Sequence, residues 1–316
     1  MHGFDSRGVR VVTVFGGSGF IGRYVVSLLA EAGWQVRVAV RDPQRASFLT
    51  ACGDVGQVVP LAVDVADPKA LAHVMRGSTA VVNLIGILFE SGKQRFDLLH
   101  AKVPGYIAQI AQDNGVSAFV QMSAIGADAN STSAYGRSKG EGEFAAKASF
   151  SRVTTIRPSI VFGPEDDFFN RFAKMSTVSP FLPLIGGGVV KFQPVFVQDV
   201  AKAIFMAVND PGIHAGVTYE LGGPRIMTFR ECLLLMLRQI HRDRVLLSIP
   251  MWIARIQALF LGLLPQPPLT QDQLKMLERD NIVSNELPGF RELGIDPVDP
   301  EVVLPTYLAQ FRPGGK

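Results

Sequence analysis

Three side chains stand where proton chemistry could be done. Tyr135 and Lys139 are four residues apart in a segment with helical spacing, Ala134–Ala148, so they share one helix face. Ser123 ends a buried apolar run, Ser117–Met122, that reads as a strand. A phenol with a free pKa near ~10 can give or take a proton near neutrality only if its surroundings help it. An ammonium one turn away is expected to favour the phenolate and lower that pKa. A serine hydroxyl beside them can hold a substrate carbonyl. The Tyr-x-x-x-Lys spacing alone recurs by accident. It gains weight here from Ser123 upstream and from the turn described next. A blander alternative stays open: the trio can serve as binding residues without turnover, with Lys139 on ribose hydroxyls.

The second constellation is Phe15-Gly16-Gly17-Ser18-Gly19-Phe20-Ile21-Gly22. It follows the first apolar run, Val9–Phe15, and opens a helical stretch, Phe20–Ala32. Gly17, Gly19 and Gly22 satisfy the dinucleotide fingerprint, and Gly16, Gly19 and Gly22 are evenly three apart. Such a turn needs positive φ, backbone close to a pyrophosphate and a tight helix–strand contact. The helix N-terminus then offers Ser18, Phe20 and Ile21 amides to phosphates. Arg41 follows the second strand, Val36–Val40, where a guanidinium can grip a ribose 2′-phosphate. Asp42 sits at the spacing of a carboxylate for a free 2′-hydroxyl, but Asp42-Pro43 reads as an N-cap and first helical residue. NADPH is therefore the expected cofactor, and NAD the disfavoured one. Asp64, ending the third strand, could accept from the adenine amino group with Val65 beside it, or simply close a turn.

The elements that must position these groups alternate. Strands are expected at Gln57–Val63, Ala80–Ile85 and Val153–Arg157, and a long helix over Arg95–Asn114. That rhythm predicts an α/β fold: a Rossmann-type, doubly wound parallel sheet with a smaller interleaved C-terminal lobe. A cofactor domain is expected over residues 1–158. The smaller lobe is expected over residues 159–316, with some sheet elements returning to the first. In that lobe helices are expected after Asp199, over Phe229–His241 and within Pro300–Phe311, and a strand at Val217–Leu221.

Composition bounds the rest. The 316 residues are 47% hydrophobic and 19% charged, which excludes intrinsic disorder. A net charge of +3, from 31 basic and 28 acidic residues, gives no footprint for nucleic acid. Two cysteines and five histidines without ligand spacing give no metal site. No run reaches the ~18 apolar residues of a membrane span. Met1–Arg10 is short and polar, without a signal-peptide core. Met251–Leu264 is apolar nearly all round a helical wheel, with Trp252, Ile256, Leu259, Phe260 and Leu263 on one face. It is expected either in the lobe's own core or against a partner or membrane interface, with a hinge at the prolines of Pro265–Pro268.

Together these motifs resemble the short-chain dehydrogenase/reductase superfamily, in its extended or atypical branch. Asn83-Leu84-Ile85-Gly86 is similar to that superfamily's element after strand four, and Arg157-Pro158-Ser159 opens a stretch similar to its nicotinamide-side loop. Longer strings resemble the nucleotide-binding accessory subunits of respiratory complex I, NADH:ubiquinone oxidoreductase. They are TVFGGSGFIGRYVV from Thr13, GDVGQV from Gly53, VNLIGI from Val82, KVPGYIAQIA from Lys102, PEDDFFNRF from Pro164, FQPVFVQDV from Phe192 and LTQDQLKMLER from Leu269. This resemblance implies tightly bound NADPH, complex I subunits as partners and a stabilising or assembly role rather than turnover. It places Leu84, Ile85, Gly86, Pro158 and Ser159 in the cofactor site beside Gly16–Gly22, Arg41, Asp64, Val65, Tyr135 and Lys139. The start close to the first strand implies a bacterial relative or a processed form. A cytoplasmic location follows, peripheral to the inner face of an energy-transducing membrane. The alternative is a soluble NADP-dependent reductase or epimerase acting on a carbonyl or nucleotide-sugar substrate through Ser123, Tyr135 and Lys139.

Overall fold

The computed structural model describes residue 8, residues 10–262, residue 264 and residues 267–314. The chain divides into two units, one of residues up to Arg157 with Val200–Tyr219, the other of Pro158–Asp199 with Glu220 onward.

The first unit carries β1 (Val11–Phe15), α1 (Phe20–Glu31), β2 (Gln35–Val40), β3 (Val58–Ala62), α2 (Pro68–Met75), β4 (Ala80–Asn83), α3 (Val103–Asp113), β5 (Ala118–Met122), α4 (Ala134–Ser149) and β6 (Thr154–Pro158, its last residue in the second unit). These strands belong to one seven-stranded sheet in the order Thr218–Leu221, β6, β5, β4, β1, β2, β3. The registers from β3 across to β6 are all parallel. The order reverses between β1 and β4, the switch point where ligands of such sheets bind at the carboxyl ends of the strands. Sequence explains the placement. VVTVF of β1 is buried throughout, as a central parallel strand must be. Its single hydroxyl, Thr13, is satisfied at 2.7 Å from Ser78 Oγ. Helix α1 stops at Ala32, after which Gly33 takes φ +78°.

One local expectation is refined, one is corrected and one helix is added. The long helix expected over Arg95–Asn114 is present as helical backbone from Phe96 to Asp113, but its part Asp97–Lys102 is a π-helical wide turn before α3, and Asn114 is the C-cap. Pro104 falls where the π-helical part passes into α3, and having no N–H it can give none to the α-helical ladder there. Asp42 does not start an α-helix. Its Oδ1 accepts from Gln44 N (3.0 Å) and Arg45 N (3.4 Å) in a turn, and the chain goes on into a 3₁₀ helix, Ser47–Cys52. Helix α2, capped by Asp67 with Pro68 at its start, was not expected from the pattern.

The second unit is built on aromatic packing, with Phe162, Phe169, Leu184, Phe229, Leu233 and Leu304 in its core. Its helices include Phe169–Val178, Phe229–Gln239 and Pro300–Leu308, and strand Phe181–Ile185 pairs in parallel with Val245–Ile249. A capping box between Thr228 and Glu231 starts the second of these helices. Helix Met251–Leu261 buries its small residues, Ala254 and Ala258, against Leu274, with Ile185 and Ile249 packed on the same cluster. Its large apolar residues face outward: Trp252 is 64% exposed, Ile256 52%, Leu259 63% and Phe260 66%. Burial in the lobe's own core, one of the two expectations, is therefore overturned for these four residues, because the close contact uses the alanine stripe instead. Leu263, Pro265 and the N-terminal residues 1–7 lie outside the described residues, and so do the expectations that rest on them. Among the described residues no helix is long and apolar enough to cross a membrane.

Candidate functional site

At the carboxyl end of β1 the glycine turn is closed by contacts that only glycine permits. Gly16 takes φ +74°, and a Cβ there would meet the Leu84 carbonyl carbon at 3.0 Å. A Cβ on Gly22 would overlap Gly16 O and Gly17 Cα, so α1 crosses the turn at backbone distance. Gly19 is the N-cap of α1, with no side-chain cap and no acidic residue in the first turn. The helix thus presents amides and a partial positive charge without a carboxylate to neutralise them.

Four groups of expected site residues lie at that same sheet edge. Leu84 to Gly86 follow β4, with Leu84 N on Phe15 O at 3.0 Å and Ile85 N on Asn83 Oδ1 at 3.2 Å. Ser123 follows β5, its amide on Ile156 O at 2.7 Å. Arg41 follows β2 and is exposed, while the neighbouring Asp42 carboxylate is taken up by its own turn and by Arg45 Nε at 3.4 Å. Asp64 and Val65 follow β3. Asp64 Oδ1 accepts from Ala66 N (3.0 Å), which makes it a turn residue in the structure as described.

Helix α4 brings in the tyrosine and the lysine. Ser133 caps it, accepting from Gly136 N at 3.2 Å. Its glycines let neighbours approach: a Cβ on Gly142 would overlap the His100 carbonyl oxygen, and one on Gly140 the Ala129 amide nitrogen. Lys139 is 5% exposed, and its Nζ sits 5.9 Å from the centroid of the Tyr135 ring. A Cβ on Gly86 would be 3.5 Å from that Nζ, so the lysine reaches the loop after β4. Burial, partly offset by Glu143, brings the Lys139 ammonium down to about 8. The expected lowering of the phenol does not occur. Burial pushes Tyr135 up to about 12, so desolvation outweighs the nearby ammonium and the phenol keeps its proton at neutral pH.

Sequence reasoning missed His100. It is 2% exposed in the wide turn before α3. Its Nε2 accepts from Ile87 N at 2.9 Å, and its Nδ1 faces Ser138 Oγ at 3.1 Å. Ser138 Oγ in turn donates to Tyr135 O at 2.9 Å. An acceptor Nε2 fixes the proton on Nδ1, so the ring is a neutral clasp between the β4 loop and α4. Burial and then the Lys139 charge press its pKa down to about 2. Its ring stacks on Phe96 at 5.2 Å and meets Tyr135 edge-on at 5.4 Å. A lone histidine has no spacing signature, and the π-helical turn that aims it inward breaks the helical period it would be read from.

Pro158 and Ser159 belong to the second unit. There Ser159 Oγ donates to Asn281 O (2.7 Å) and accepts from Gln193 N (3.1 Å).

The site fits a nicotinamide dinucleotide on two observations. The glycine turn is a cradle that a side chain would fill. Ser123 Oγ is buried and has no hydrogen-bond partner among the described residues, a polar atom held ready for a ligand group. No cluster of metal-ligating side chains exists among the described residues.

Comparison with known proteins agrees. Residues 16–161 match an NAD(P)H-binding family. The fold is shared with an Escherichia coli NADPH-dependent quinone oxidoreductase in complex with NADPH, at a TM-score of 0.73 and 18% identity over 95% of this chain and 99% of that one. A mitochondrial "NADH dehydrogenase [ubiquinone] 1 alpha subcomplex subunit 9" of Arabidopsis thaliana is 35% identical over 96% of this chain and 79% of its own length. The mitochondrial "NADH-ubiquinone oxidoreductase 40 kDa subunit" of Neurospora crassa is 30% identical over 98% of this chain and 82% of its own. With an NAD(P)H-binding domain on a seven-stranded Rossmann sheet and identity of this level along nearly its whole length, the chain belongs to the family of complex I alpha subcomplex subunit 9.

Proposed function

We propose that this protein holds NADPH as a resident cofactor and serves a complex I-type NADH:ubiquinone oxidoreductase as a structural or assembly component. The observation that carries the reading is the identity with complex I subunits across 96–98% of the chain. In this proposal Gly16, Gly17, Ser18, Gly19, Phe20, Ile21 and Gly22 take the pyrophosphate. Arg41 takes the 2′-phosphate, Asp64 and Val65 flank the adenine, and Leu84, Ile85, Gly86, Pro158 and Ser159 line the nicotinamide side. Lys139 holds ribose hydroxyls, with Tyr135 beside it. Arg41, exposed just after β2, supports NADPH over NADH, since its guanidinium is available to a ribose 2′-phosphate there.

A phenol pushed up to about 12 supports holding over turnover, because at neutral pH it is a weak proton donor and hardly any phenolate exists to take the proton back. The exposed face of Trp252, Ile256, Leu259 and Phe260 supports a place on the inner face of an energy-transducing membrane, against an apolar partner subunit or the lipid interface. Calorimetric titration tests the cofactor claim: NADPH is expected to bind at least tenfold more tightly than NADH, and equal affinities overturn it.

A second reading has one observation in its favour. The Ser123 hydroxyl, at the carboxyl end of β5, is buried and has no hydrogen-bond partner among the described residues, which favours a ligand carbonyl as its partner. In a reductase of carbonyl or nucleotide-sugar substrates the bound nicotinamide would supply hydride, Ser123 would orient the carbonyl and Tyr135 would deliver the proton. NADPH consumption with a carbonyl panel, abolished by Tyr135→Phe, is the outcome that would replace the first reading with this one.

A further inference from the structure

Helix α4 continues its chemistry one turn beyond Lys139. Glu143 stands at i+4, on the same face as Tyr135 and Lys139, so the three form a row. From β6 Arg157 meets this carboxylate side-on with two hydrogen bonds, Nε to Oε1 at 2.8 Å and Nη2 to Oε2 at 2.5 Å. Both side chains are largely out of water, at 22% and 14% exposure, unlike the chain's surface ion pairs. A paired, desolvated carboxylate is costly to place and acts strongly on a charge one turn away.

We propose that the Glu143–Arg157 pair is a positioning device for Lys139: Glu143, one helical turn away, is the counter-charge of the buried amine, and Arg157 fixes the carboxylate and limits its pull. The titratable and charged groups around Lys139 are Tyr135 and Glu143 on its own helix, His100 from the wide turn and, behind Glu143, Arg157 from β6. His100 is held neutral by its Ile87 contact, and Tyr135 is neutral at physiological pH. Glu143 is therefore the anion among them. Burial alone drives the Lys139 amine toward its neutral form, and Glu143 acts against it. The consequence for NADPH rests on the reading above that Lys139 holds the cofactor: only the ammonium offers three donors to ribose hydroxyls.

The two partners must act on Lys139 with opposite signs. Glu143→Gln removes the anion and is expected to lower the Lys139 titration midpoint by about one pH unit. Arg157→Gln removes the opposing cation and is expected to raise it. The double variant, which leaves no unpaired buried charge, is expected to return toward the unmodified value and also guards against misfolding of either single variant. Arg157→Lys is expected to keep the midpoint in place. The titration is read from the lysine 13Cε and 15Nζ resonances of the full-length protein, with Lys139→Met identifying the signal. Shifts of the same sign, or none, in the two single variants overturn the proposal, because a purely structural ion pair affects both alike. NADPH affinity is then measured across the same pH range. If the midpoints move as expected and affinity ignores them, the placing of the cofactor on Lys139 fails while the positioning role stands.

Discussion

His100 makes the sharpest energetic claim on this fold. The folded ring is neutral down to a pKa of about 2, whereas in the unfolded chain it titrates near ~6.5. A histidine with a depressed folded pKa contributes stability that is intact above the unfolded value and is lost as pH falls below it. From pH 7.5 to pH 5.0 the unfolded ring gains nearly a full proton that the folded ring refuses. At ~1.36 kcal/mol per pH unit over the ~1.5 units below 6.5, this group alone removes ~2 kcal/mol. The comparison is His100→Gln, whose amide can still accept from Ile87 and donate to Ser138 but does not titrate. Urea unfolding is followed through Trp34, buried in the first unit with Nε1 on Asn209 Oδ1 at 3.0 Å, in a Trp252→Phe background. The native sequence is expected to lose ~2 kcal/mol more than the variant between the two pH values. Other groups with lowered pKa, such as His214, are common to both proteins and cancel. Equal losses, within ~0.5 kcal/mol, would refute the neutral clasp.

Three further outcomes are expected. Arg41→Asp should weaken NADPH binding by ~1.5–3 kcal/mol and leave NADH affinity nearly unchanged in calorimetric titration; an equal loss for both cofactors removes Arg41 from the 2′-phosphate. Ser123→Ala should raise the stability of the nucleotide-free protein by ~1–3 kcal/mol, since a buried hydroxyl without a partner is removed. A lower melting temperature would show that the hydroxyl is satisfied in solution. Leu259→Glu with Phe260→Glu should change stability by no more than ~0.5 kcal/mol, both residues being exposed, while recovery in the membrane fraction falls and NADPH affinity holds. Unfolding of the second unit would mean that this face is packed inside.

Much of the first unit is legible in the residues because its signals are local. The all-apolar β1, the glycine turn and the Gly33 stop each state their own geometry, and the parallel order follows from strand–helix alternation. The misread places are those where a competing local turn or a distant contact decides. Asp42-Pro43 carries a helix-cap signal, but only a turn and a 3₁₀ helix are formed. The wide turn at Asp97–Lys102 hides His100 from any regular period, and its reason sits 42 residues away, at Gly142, where α4 presses on the His100 carbonyl. Tyr135 shows the same limit in energy: spacing reveals the ammonium beside the phenol, but not the burial that outweighs it. On helix Met251–Leu261 the wheel identifies the two faces correctly and cannot say which one is covered, because the alanine stripe meets residues from three other segments.

The central claim is that the protein is an NADPH-holding part of a complex I-type assembly. The direct measurement is affinity purification of the tagged protein from membranes in mild detergent, with subunit identification by mass spectrometry and chromatography of the nucleotide released by acid. Complex I subunits in constant ratio to the tagged chain, with about one NADP(H) per chain, are the expected result. Recovery of the chain alone, with complex I assembled and active in cells that lack it, would contradict the account.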